Sequence, residues 1–158
     1  MVAGIAILPL AYFLIADWRA RSEFAAMQLQ MDAVTQNAIE PLGGMLLEDQ
    51  SSARGNGILE AWFCGGTLCS EISNLWFVPL EEREQHTWPR SVLQQHGYEL
   101  RGDAANDCSL ICWGAKDGLT MFVGVNPESR IGPVPTVDVA PRQWMDVRIS
   151  VYPATTAQ

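Results

Sequence analysis

The chain has 158 residues, 48% of them apolar, and eighteen Asp and Glu against ten Lys and Arg give a formal charge of −8. That length fits one domain of ordinary size plus a membrane segment. Such acidity disfavours nucleic acid and anionic lipid headgroups as partners, because phosphates require cationic neutralisation.

Residues 2–16, VAGIAILPLAYFLIA, carry no charge; every Asp, Glu, Lys, Arg and His lies at or after Asp17. As a helix this run spans about 22 Å, and adding Met1 and the interfacial Trp18 brings it nearer to a hydrocarbon core of about 30 Å. A transmembrane anchor over residues 1–18 is therefore expected, with Ile5, Ile7, Leu8, Leu10, Phe13, Leu14, Ile15 and Trp18 facing lipid or its interface. Pro9 is tolerable in such a helix. A cleaved signal peptide fits less well, since no Lys or Arg precedes the run and no small-x-small site follows it. Arg19 and Arg21 after the run would, by the positive-inside rule alone, place the remainder in the cytoplasm. The cysteines argue for the opposite side, and we follow them.

Over residues 19–50 the pattern turns helical. Phe24, Met27, Met31, Val34 and Ala38 recur at spacings of three and four and trace one apolar stripe. This membrane-proximal amphipathic helix packs either on its own domain or against a partner's helix. Pro41 and Gly43-Gly44 interrupt the pattern, and Met45-Leu46-Leu47 is read as its resumption. Residues 50–57, QSSARGNG, form the linker-like stretch.

An extracytoplasmic α+β domain is expected over residues 55–153, a small antiparallel sheet with one or two helices on one face. Residues 58–63 read as a strand, and 75–78 (LWFV) as a short one closed by Pro79. Pro89 suits the first turn of a helix that stops at Gly97. Residues 98–101 read as a strand, and residues 109–113 and 119–125 as a hairpin turning at Asp117-Gly118. Four prolines between residues 126 and 142 indicate an extended loop. In residues 144–152, Met145, Val147, Ile149 and Val151 point one way and Asp146, Arg148 and Ser150 the other, a half-buried strand. Residues 154–158 are a tail.

Cys64, Cys69, Cys108 and Cys112 form two pairs on a chain with a membrane-entry segment, the pattern of an oxidising compartment. They are read as structural disulfides. Four cysteines allow three connectivities. A Cys108–Cys112 bond would require a turn, because an extended segment would hold them roughly 13 Å apart; cross-pairing with the Cys64/Cys69 turn is the alternative. The spacings CxxxxC and CxxxC sit at or beyond the edge of the zinc range, and no CxxC is present, so neither metal nor redox cofactor is expected. His96 falls at a helix end, and His86 in a charged run. No GxSxG, HExxH, P-loop or GxGxxG occurs, which points away from an enzyme.

In outline, an apolar N-terminal segment feeding a long helix and then a cysteine-bonded sheet resembles a type IV pilin-like subunit, which implies self-assembly into a filament. Residue 5 is Ile, where a mature pilin carries an acidic residue. The expectation from the residues themselves is a non-catalytic single-pass membrane protein whose acidic domain binds or positions a partner in an envelope membrane complex. A pilin-like subunit and a small cysteine-dependent enzyme are the alternatives.

Overall fold

The computed structural model describes residues 7–49, 71–101, 108–127 and 142–154. Cys64, Cys69, Ile5, the linker at 50–57, the strand at 58–63 and most of the proline-rich loop fall outside them.

Helix α1 runs from Ile7 to Val34 without a break, so the apolar run from Ile7 onward and the amphipathic stretch share one rod. It continues through a π-helical turn, Thr35–Ile39, and a 3-10 turn, Glu40–Leu42. Two crossed hydrogen bonds then stop it: Gly43 N–H donates to the Glu40 carbonyl and Gly44 N–H to that of Ile39. This Schellman pattern needs a left-handed residue, and Gly43 supplies it at φ +75°. The chain leaves in a new direction as strand β1, Met45–Asp49. Met45-Leu46-Leu47 thus does not resume the helix, a correction to the sequence reading. Strand pairing with a distant partner prevails over local periodicity once the glycines have ended the helix.

Strand β2 spans Ile72–Glu81, longer than expected and running through Pro79. It tolerates the proline because β1 pairs with it only from Asn74 to Phe77, so that among the described residues no strand hydrogen-bonds to β2 on the β1 side at Pro79. Helix α2, Trp88–Gln95, carries Pro89 in its first turn and ends at Gly97, φ +75°, in a second Schellman pattern. Strand β3, Glu99–Leu100, follows, then the hairpin of β4, Ile111–Lys116, and β5, Leu119–Asn126. Asp117 and Gly118 both have positive φ, 51° and 76°, the type I′ geometry that suits a two-residue hairpin. Strand β6, Arg142–Pro153, closes the fold.

The sheet is antiparallel with order β1-β2-β6-β5-β4-β3. Its two faces follow from the register. Val78↔Met145, Trp76↔Val147 and Ile72↔Val151 in one ladder, and Met121↔Val151 and Val123↔Ile149 in the next, place the apolar set on one side. Met27, Met31 and Val34 of α1 and Ile39 of the π-helical turn join these residues in the core, together with Val92 and Leu93 of α2. Both helices thus cover one face, a two-layer α+β arrangement. The Tyr98 hydroxyl, 3.3 Å from Gln30 Oε1, ties α1 to the chain that leaves α2.

The amphipathic stripe is therefore turned onto the chain's own sheet. Met27, Met31, Val34 and Ala38 are buried and Phe24 packs at their margin. Strand β6 differs from its expected half-burial: the alternate residues Asp146 and Ser150 are also buried, at 3% and 5% exposure. On that second face the side chains of the flanking strands β2 and β5 crowd these two residues, and Ser150 Oγ meets Ser73 Oγ at 2.8 Å, while Arg148 between them stays exposed.

Candidate functional site

Two surfaces stand out once the core is assigned. The first is the outer side of α1. At about 100° per residue, Ile15, Trp18, Ser22, Ala25 and Leu29 line a stripe diametrically opposite the one packed on the sheet. Leu14, Ile15, Trp18 and Leu29 are 63%, 66%, 71% and 67% exposed. Charges flank this stripe without entering it, and they are satisfied within the helix: Arg19 pairs with Glu23 at 3.0 Å and Arg21 with Asp17 at 2.8 Å. The Ser22 hydroxyl donates to the Arg19 carbonyl, so the stripe holds no unmet polar group at its centre. Of the expected anchor residues, Leu14, Ile15 and Trp18 are thus brought together on an open apolar surface. Ile7, Leu8, Leu10 and Phe13 belong to the same helix, with side chains outside the described set. Among the described residues no helix is long and apolar enough to cross a membrane.

The second surface is the sheet face turned away from the helices. Here the cross-strand rows read Ile111, Gly124, Arg148 and Leu75, and beside them Trp113, Phe122, Ser150 and Ser73. Gly124 contributes no side chain, and the Phe122 ring folds over it; a Cβ there would lie 2.8 Å from Phe122 Cζ. Trp113 meets that ring edge-on at 5.4 Å. The result is a cleft of ≈ 490 Å³ with apolar walls that include Leu75, Leu110, Ile111 and Phe122 and a polar end at Asp146 and Arg148. Ile111 and Trp113 stay 50% and 41% exposed. Further along the same face Phe77, fully buried, stacks on Trp144 at 5.1 Å. The sequence reading missed this cleft. Its signal was a glycine among bulky neighbours in a strand, whose partners across the sheet lie far away in the chain.

Cys108 and Cys112 are bonded to each other, with Cα atoms 4.9 Å apart. The cross-pairing alternative is corrected for these two: β4 begins only at Ile111, and the bend at Ser109-Leu110 folds the segment that an extended strand would have held open. Cys64 and Cys69 lie outside the described residues. His96 ends α2, but the group facing the helix terminus is Lys116, whose Nζ donates to the His96 carbonyl at 2.9 Å and stands 5.8 Å from the Tyr98 ring centre. Burial, helped by the Lys116 charge, lowers the His96 pKa. Burial above all, with Asp117 nearby, raises that of Tyr98. Among the described residues no three His, Cys, Asp or Glu side chains are grouped to hold a metal ion. Set against family models, curated proteins and solved structures, the chain matches none.

Proposed function

We propose that the chain is a non-catalytic single-pass membrane protein. In this reading the apolar opening, residues 1–18, holds it in the bilayer. The acidic α+β domain lies outside the cytoplasm and binds or positions a protein partner, as an accessory or assembly subunit of an envelope membrane complex. The observation that carries the proposal is the continuity of α1: its end is seated on the sheet while Leu14, Ile15 and Trp18 stay uncovered at the other end. Large apolar side chains in a row call for lipid or protein cover. The Cys108–Cys112 bond supports an oxidising compartment.

The stripe also supports a protein neighbour beyond the lipid. Leu29 lies eleven positions after Trp18, about 16 Å further along the axis. With Trp18 at the interface, Leu29 stands in water, where lipid cannot cover it. Fractionation tests the anchor: the full-length chain should stay with membranes through an alkaline carbonate wash and, once solubilised, bring down a stoichiometric partner. Recovery in the soluble fraction, or partner-free material from every preparation, refutes the reading.

A second reading, a pilin-like filament subunit, is favoured by one observation, the single helix that passes from an apolar end onto an antiparallel sheet. It requires a leader peptidase to trim an upstream extension, which mass spectrometry of the native N-terminus decides.

A further inference from the structure

We propose that the cleft on the sheet face turned away from α1 and α2 binds a small organic anion, a compact aromatic or branched aliphatic body bearing one carboxylate.

The shape comes from the register. Ile111 and Arg148 are the cross-strand neighbours of Gly124 on either side. With strands about 4.8 Å apart, they stand roughly 10 Å from each other. The glycine between them leaves a slot whose floor is backbone and the Phe122 ring. One layer of ligand atoms fits that width, and ≈ 490 Å³ lies within the range of small-molecule sites. Apolar walls with few polar groups at one end are the usual division of labour in such sites: the walls supply affinity and the polar end orientation.

The charge at the slot comes from Arg148, with Arg101 further off on the same sheet face. Arg148 lines the slot and is exposed. Arg101 pairs its backbone N–H with the Trp113 carbonyl at 3.1 Å, one strand beyond β4 and outside the cleft lining. Neither guanidinium has a hydrogen bond or ion pair to another described residue, whereas Arg19, Arg21 and Arg83 are paired and Lys116 is engaged. In a chain of net charge −8, an open cation beside an apolar slot is the local exception. Asp146, the acidic group at that end, is 3% exposed, so Arg148 is the charged side chain that the cleft presents to solvent. A guanidinium presents a planar fork that matches a carboxylate bidentately. A cationic ligand would meet Arg148 head-on, and a neutral one would forgo the charged contact.

The inference is independent of the membrane reading, because binding to the sheet is measured alike on an anchored and an unanchored chain. The probe is 2-naphthoate, titrated into the full-length chain in amphipol and followed by NMR at the Trp113 indole N–H. Naphthalene-2-methylamine is the cationic control, and empty amphipol the blank. Saturable naphthoate binding is expected, at least tenfold tighter than the amine. Arg148→Gln, an exposed change that leaves the core alone, should weaken naphthoate about tenfold and spare the amine. Ile111→Ser should weaken binding through the wall rather than the charge. Absent saturation, equal binding of the two probes, or naphthoate affinity unchanged in Arg148→Gln overturns the proposal.

Discussion

Replacing Met31 by Ala tests whether α1 is held on the sheet through the stripe assigned to it. Met31 is 1% exposed within the core. Its truncation removes the thioether sulfur and two carbons, a transfer loss of about 2 kcal/mol at ~0.8 kcal/mol per methylene-sized group. A partly collapsed cavity adds about 1 kcal/mol at ~24 cal/mol per Å³. The expected cost is about 3 kcal/mol, more than a hundredfold in the unfolding constant. Leu29→Ala, on the opposite side of the same helix at 67% exposure, should change stability by ~0.5 kcal/mol or less. Urea unfolding of the full-length chain in mild detergent, followed by tryptophan fluorescence, measures both as midpoint shifts at constant slope. A Met31→Ala cost below about 1 kcal/mol, or an equal cost for Leu29→Ala, would refute the assigned sidedness of α1.

The remaining expectations concern the turns, the disulfide and titration. Gly97→Ala should cost about 1 kcal/mol through its positive φ, since its nearest contact is Lys116 Cε at 3.9 Å. Gly114→Ala should cost about 1–3 kcal/mol for the different reason that its Cβ would sit 2.7 Å from Tyr98 Cβ; both are read by thermal unfolding. Replacing Cys108 and Cys112 together by Ala reopens a loop of sequence separation 4 and should lower stability by about 2 kcal/mol. A denaturation midpoint unmoved by this double change would argue that the bond is not formed in the native protein. The fold disfavours protonated His96, whose pKa lies below its ordinary 6.5. Between the folded and unfolded pKa values the unfolded chain binds the extra proton, so stability falls as pH drops from about 6.5, and His96→Asn should flatten that limb. Tyr98 titrates above its ordinary 10.0, so the folded chain retains a proton that the unfolded one gives up. Stability should therefore fall as pH rises past about 10, less steeply in Tyr98→Phe.

What the sequence determined by itself was local. Pro89 and Gly97 bracket α2, Asp117-Gly118 turns the hairpin, and the alternation from Met145 to Val151 marks a strand, because each is set by the dihedral or side-chain preferences of neighbouring residues. The three-and-four spacing from Phe24 to Ala38 likewise marked a face to be covered, without saying by what. Tertiary structure decided what depends on residues far apart in the chain. It turned that stripe onto the chain's own sheet, made Met45–Asp49 an edge strand on β2, and buried Asp146 and Ser150 by placing β6 in the sheet's interior. It also folded Cys108 onto Cys112 and aligned Ile111, Gly124 and Arg148 in one row around a cleft. Strand order and register come from pairing between distant segments, and a periodic pattern records only that a residue wants burial, never which partner supplies it.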